Sequence, residues 1–169
     1  VIKYNFCPQC KTKTDNSGEY PKCPNCKVVF YKNSKPTAGV LPVKDGKVLL
    51  GRRAEDPHKG QLDIIGGFLN WKEHPINGAV REAKEETGLN VEIVDLLGIY
   101  MDVYEPTGDA TQNTYFIGKV TGGKLKAEDD VESLHWLEIE KLPNDLGSFK
   151  HLPEVIKDLK KWYKKNENN

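Results

Sequence analysis

GFLNWKEHPINGAVREAKEETGL, residues Gly67 to Leu89, is the stretch that decides the fold of this chain. Within it Ile76, Ala79, Val80 and Ala83 recur at helical spacing, so the run to Thr87 is predicted to be a helix with one apolar face. Pro75 suits the first helical position, where no N–H is needed, and Gly88 suits the C-terminal stop. On that helix Glu82, Glu85 and Glu86 stand at i, i+3 and i+4, so their carboxylates gather on a face other than the apolar one. Like charges at that spacing repel, and Lys84 projects away from them. A hard divalent cation, Mg2+ or Mn2+, relieves the repulsion, since it prefers oxygen ligands and bridges carboxylates to phosphates. Glycine ahead of the helix, Gly67 in particular, lets a backbone carbonyl approach the same ion.

Working outward, the segments on either side read as strands. Ala38 to Val43 and Lys47 to Arg52 flank an Asp45-Gly46 turn and are predicted to form a hairpin. Val91 to Tyr104, Thr114 to Val120 and Ser133 to Leu137 follow as further strands. Leu152, Val155, Ile156, Leu159 and Trp162 then share one helical face, and Lys164 to Asn169 is expected to be a solvated tail. Strands mixed with two helices predict an α+β sheet domain.

The first part of the chain obeys a different logic. It carries Cys7-Pro8-Gln9-Cys10 and Cys23-Pro24-Asn25-Cys26, which are all the cysteines there are. A Cys-x-x-Cys turn aims two thiolates at one point, and two such turns supply four tetrahedral sulfur ligands for Zn2+. With every ligand position filled by protein the zinc is expected to be structural. Val28 to Tyr31 reads as the last strand of this ribbon, and the polar run Lys32 to Pro36 as a connector. The expected domains are therefore 1–35, ribbon and connector, and 36–169.

Acidic and basic side chains balance to a formal net charge of +0, so no global field attracts nucleic acid or an anionic membrane. Neither a signal-like apolar run in Val1 to Lys13 nor a stretch of about 18 apolar residues occurs, and a cytoplasmic protein without membrane partners is expected.

The Gly67–Leu89 segment also resembles the box of the Nudix hydrolases: glycine, five residues, glutamate, seven residues, then Arg-Glu-apolar-x-Glu-Glu-x-Gly-apolar. Gly67, Glu73, Arg81, Glu82, Ala83, Glu85, Glu86, Gly88 and Leu89 occupy those positions, and only Ala83 is smaller than usual. The resemblance implies an α/β/α sandwich with a mixed sheet, and a metal-dependent hydrolase that cuts the diphosphate bond of a nucleoside diphosphate linked to another moiety. It implies Glu82, Glu85 and Glu86 as metal ligands, Glu82 and Glu86 foremost. Arg81 positions them through a salt bridge and Glu73 orients the box. It further implies a homodimer. The family varies in its general base; Glu128-Asp129-Asp130 is the local candidate for a further ligand or base, the alternative being a solvated turn.

Substrate class is less sharply written. A ribbon ahead of such a domain resembles NAD(H) diphosphatases, but the Ser-Gln-Pro-Trp-Pro-Phe-Pro signature of that group is absent from Gly98 to Pro106. Arg52-Arg53 followed by Pro57-His58-Lys59-Gly60 resembles ADP-ribose and FAD diphosphatases and marks both arginines as substrate-binding candidates. Gln61 and Ile65 depart from that pattern. Tyr100 and Tyr104 are candidates to stack on a base, or are strand filler; Trp136 reads as core. His58, His74, His135 and His151 show no catalytic spacing. The rival reading is a nucleotide-sensing or nucleic-acid-associated binding module, although a sensor is free to lose the glutamates that this chain retains.

Overall fold

The structure, a computed structural model, describes residues 4–166. The chain divides into two compact units, Val1–Ser34 and Lys35–Asn169.

In the smaller unit the two Cys-x-x-Cys turns have the same backbone. Lys11 N donates to Cys7 O and Lys27 N to Cys23 O, while Cys7 N and Cys23 N donate forward to Thr12 O and Val28 O. Lys11 and Lys27 each take a positive φ, 60° and 62°, which closes the turn. The expected strand Val28 to Tyr31 shrinks to a single bridge, Lys22 to Val29. The reason is local: the second turn already takes the Val28 carbonyl, so little of the segment is left for a ladder. Tyr4 and Phe30 stack at 4.8 Å, but both cysteine turns close around sulfur rather than around an apolar core.

The larger unit is built on one mixed sheet. Its elements are β1 Lys35–Lys44, β2 Lys47–Arg53, β3 Leu62–Asp63, β4 Ile65–Phe68, α1 Pro75–Thr87, β5 Leu89–Tyr104, β6 Asp109–Gly123, β7 Val131–Glu138 and α2 Leu152–Asn166. The order is β3-β2-β1-β6-β5, with β4 also paired to β1 and β7 to β2. Only β1 and β6 run parallel among these pairs. Side chains alternate across a strand, so neighbours serve opposite faces. Val40, Leu49 and Phe116 pack with Ala79 and Ala83 of α1. Leu41, Leu50 and Ile117 pack with Leu152, Val155, Ile156 and Leu159 of α2. One helix on each face gives the three-layer α/β/α sandwich that the family resemblance implies.

Local signals set the element ends. Asp45 and Gly46 both have positive φ, as the two-residue hairpin turn demands. His74 caps α1 by accepting from Ile76 N, Pro75 opens the helix, and Gly88 closes it at φ 69°. A Cβ at Gly88 would lie 2.5 Å from the Lys124 carbonyl, so packing as well as backbone requires glycine there. Three elements escape the sequence reading, β3, β4 and a 3-10 turn at Ile139–Lys141, because they are too short to show a period. The tail is shorter than expected: Lys164 to Asn166 continue α2, and 167–169 lie outside the described residues. No helix among the described residues is long and apolar enough to cross a membrane.

Candidate functional site

Helix α1 turns two carboxylates inward. Glu82 and Glu86, one turn apart, are 8% and 5% exposed, whereas the Glu85 side chain remains half exposed. The small residues Ala79 and Ala83 seat the helix close to the sheet, and the glycines of β4 leave room for the acids. A Cβ on Gly67 would stand 2.6 Å from Glu82 Oε1. Gly66 N donates to Glu86 Oε2 at 3.2 Å.

Arg81 organises the flank of the pair. Its Nε and one terminal nitrogen donate to the two oxygens of Glu73, each at 2.8 Å. Its other terminal nitrogen reaches Glu82 at 2.7 Å and Glu85 at 2.8 Å. The Arg81 hydrogen bonds hold the Glu73 carboxyl down to about 2. Glu86 has no such partner among the described residues. Burial, then the charges of Asp130 and Glu82, push its carboxyl up to about 9, and burial raises Glu82 as well. The three glutamates thus divide: Glu82 and Glu85 share Arg81, while Glu86 is left uncompensated inside the fold.

Such a donor set suits a hard divalent cation: oxygen ligands, buried like charges and a glycine-lined approach. Among the described residues, though, only the four cysteine sulfurs bring three or more ligand atoms mutually within 4.8 Å. The Cys10–Cys23, Cys7–Cys26 and Cys10–Cys26 sulfurs are 3.4, 3.5 and 3.6 Å apart, near the ~3.8 Å edge of a tetrahedral Zn–S4 site. The Thr12 hydroxyl beside Cys10 lowers that thiol, and hydrogen bonding with Cys23 raises Cys26. Thiols so crowded cannot all ionise without a cation between them, and zinc fits.

A recess beside Glu86, bordered by Asp63, Gly66 and Asp130, shares those residues with a cleft of about 250 Å3. Phe68 and Tyr104, in edge-to-face contact at 5.8 Å, form part of its wall; Phe149 and Arg53 form another. The candidates from sequence separate accordingly. Arg53 and Tyr104 line the cleft. Arg52 does not; its guanidinium grips the Gly60 carbonyl. Arg53 is itself engaged, with Asp63 at 3.0 Å and the Pro57 carbonyl at 2.6 Å. Asp130 joins the recess, whereas Glu128 turns out to Lys126. Tyr100 is core, its hydroxyl on Asp158.

Asp63, Asp102, Tyr115, Phe149 and His151 were not anticipated, yet all line the cleft. One signal for Asp102 was present. On β5 Ile99, Met101 and Val103 are exposed while Tyr100 is buried and Asp102 and Tyr104 are partly so; a charge sits on the inner face of the strand and the apolar residues on the outer. His151 carries no such mark.

The family model of the NUDIX domain matches residues 33–159. An ADP-ribose pyrophosphatase of Methanocaldococcus jannaschii is 37% identical over 119 residues, 70% of this chain and 69% of that protein. A NAD-capped RNA hydrolase NudC of Vibrio atlanticus is 27% identical across 82% of this chain; the chain spans about half of it, 51%. The crystal structure of a NUDIX hydrolase from Nitrosomonas europaea shares the fold at a TM-score of 0.79 and 24% identity, covering 98% of this chain and 94% of that one.

Proposed function

Because the chain belongs to the Nudix family, we propose that it hydrolyses the diphosphate bond of a nucleoside diphosphate linked to a second moiety, in a metal-dependent reaction. Within the ADP-ribose, FAD and NADH types, ADP-ribose is the substrate we favour, as the 37%-identical relative is named an ADP-ribose pyrophosphatase. The observation that carries the reading is the pair of buried carboxylates, Glu82 and Glu86, next to a recess continuous with the cleft.

Charge explains why metal is needed. Asp63, Asp102 and Asp130 line the cleft or its recess, Glu86 borders the recess and Glu82 lies behind Gly67. Arg53, the cationic side chain of the cleft, is already committed to Asp63. A diphosphate entering alone meets net repulsion. Divalent metal held by Glu82 and Glu86, with Glu85 and the Gly67 carbonyl as further donors, would neutralise phosphate charge and lower the pKa of bound water. The protein's own part is positional: Arg81 fixes Glu82 and Glu85, Glu73 fixes Arg81, and Asp130 is the residue we assign to a further ligand or to the base that takes a proton from water. Phe68 and Tyr104 offer apolar area to a planar ring. At the four cysteines zinc would hold the small unit folded.

Incubation with Mg2+ and separate ADP-ribose, FAD and NADH tests the reading. AMP as product, absent when the metal is chelated, is the expected result. No monophosphate from any of the three would sink it.

A further inference from the structure

The cleft holds a buried chain of three side chains that the hydrolytic reading leaves unused. Tyr115 and His151 stack at 5.6 Å with rings 8° apart, and the Tyr115 hydroxyl meets His151 Nε2 at 2.8 Å. On the other side of the imidazole, His151 Nδ1 is 2.7 Å from Asp102 Oδ2. Neutral histidine with its proton on Nδ1 satisfies both contacts: the tyrosine donates to Nε2 and Nδ1 donates to the carboxylate. Asp102 Oδ2 also accepts His151 N at 3.2 Å, and Oδ1 accepts Val103 N at 2.7 Å. Burial pushes this carboxyl up, but the N–H donors outweigh it and hold it below its ordinary range.

A carboxylate has about four acceptor sites and no proton to give. Three are occupied here, which leaves capacity on a group that lines the cleft. Two neighbouring polar groups, Asn113 and Arg53, are already engaged, while the other carboxylates of the cleft, Asp63 and Asp130, lie on the side of the Glu86 recess. Asn113 donates to the Tyr100 carbonyl and to Thr111, and accepts from Thr37; Arg53 is bound by Asp63. An acceptor with its own donors fixed rejects anionic oxygen and takes a neutral donor.

We propose that Asp102 is a specificity determinant of the cleft, accepting a hydrogen bond from a neutral donor of the substrate, either a hydroxyl of the second sugar or the exocyclic amine of the base, and that His151 is the positioning residue that fixes it. The inference rests on the cleft being the substrate site. Its logic is that of sites built to hydrogen-bond an O–H or N–H, which discriminate strongly against analogues that lack it.

The test uses ligands that cannot be hydrolysed, so binding and chemistry are read apart. Calorimetry with Mg2+ compares ADP-ribose carrying a methylene between its phosphorus atoms with two further methylene analogues. In one a methyl replaces the terminal ribosyl group; in the other unsubstituted purine replaces adenine, which removes the exocyclic amine and adds no other donor. Wild type is expected to bind the parent about tenfold or more tighter than one of the two, which identifies the donor. Asp102→Asn should bring that pair within about twofold. His151→Asn, which keeps an amide N–H where Nδ1 stood, should retain most of the discrimination, and His151→Leu should lose it. If Asp102→Asn does not fold, the two His151 variants decide. Equal affinities in wild type, no binding of any analogue, or discrimination that survives Asp102→Asn and His151→Leu overturns the inference. Discrimination without AMP release from cleavable ADP-ribose upholds it while removing the hydrolytic reading.

Discussion

The guanidinium of Arg81 meets the carboxylate of Glu73 in two parallel hydrogen bonds, each 2.8 Å. The two residues flank the first turns of α1, and the same guanidinium reaches Glu82 and Glu85. Glu73 therefore bears on Glu82 and Glu85 at one remove, by holding the guanidinium that both of them meet.

That pairing has a signature in acid. The Glu73 carboxyl falls from an ordinary 4.5 to about 2 in the fold. The folded state releases this proton more readily than the unfolded one, so the pair stabilises above the unfolded value and loses that contribution as pH falls through the folded value. Glu73→Gln should be less stable than wild type by a constant margin above about pH 5, and the margin should close between about pH 4.5 and pH 2. Urea unfolding of both proteins across that range measures it. A margin independent of pH would assign Glu73 no ionic role.

A smaller change probes the space around Glu82. Gly67→Ala inserts a Cβ that would stand 2.6 Å from Glu82 Oε1, and Gly67 has no left-handed φ to complicate the outcome. The expected result is a folded protein whose kcat falls about tenfold or more, because a carboxylate displaced by an ångström no longer holds its geometry. Gly122→Ala, whose nearest new contact is 3.5 Å, is the control. Unchanged kcat in Gly67→Ala would show that Glu82 tolerates displacement and is not a principal ligand.

The small unit should depend on metal for its fold alone. Elemental analysis of reduced protein is expected to give about one zinc per chain, and Cys23→Ser should unfold the ribbon. Turnover per folded molecule should change much less than thermal stability, as the four sulfurs leave no open position for chemistry. Zinc-free protein with an intact ribbon contradicts this.

What could be read in the sequence follows the range of the forces involved. The helix α1, its first residue, its stop and its glutamates are written within Gly67 to Leu89, so Pro75, Gly88 and the Glu82–Glu86 spacing sufficed, although the cap supplied by His74 was not read. The residue pattern by itself gave an α+β sheet domain, and the three-layer sandwich was expected only through the resemblance to the Nudix hydrolases; that Val40 and Leu41, or Phe116 and Ile117, serve opposite faces is what the structure adds. The cleft was not, since it is assembled from distant parts: 49 positions separate Asp102 from His151, and 36 separate Tyr115 from it. Arg52 and Arg53 illustrate the limit. They look equivalent as a pair, yet strand alternation and the Gly60 carbonyl take one away from the cleft and leave the other in its wall.

The glutamates themselves give the decisive prediction. Glu86→Gln keeps the volume and the hydrogen bond available from Gly66 N while it removes the charge that burial, Asp130 and Glu82 all oppose. In protein without metal the substitution should leave the melting temperature equal or higher, because the group it removes is uncompensated. In the presence of Mg2+ turnover should fall on the order of a hundredfold or more, since each ~1.4 kcal/mol lost from charge stabilisation is a factor of ten. Lys84→Gln is the comparison. Its ammonium caps the Gly88 carbonyl at 2.9 Å on the far side of the helix, so that variant should lose a little stability and almost no activity. AMP release from ADP-ribose and a thermal melt, measured for all three proteins, separate the two roles. Wild-type turnover in Glu86→Gln would mean that the chemistry lies elsewhere than at the carboxylates of α1.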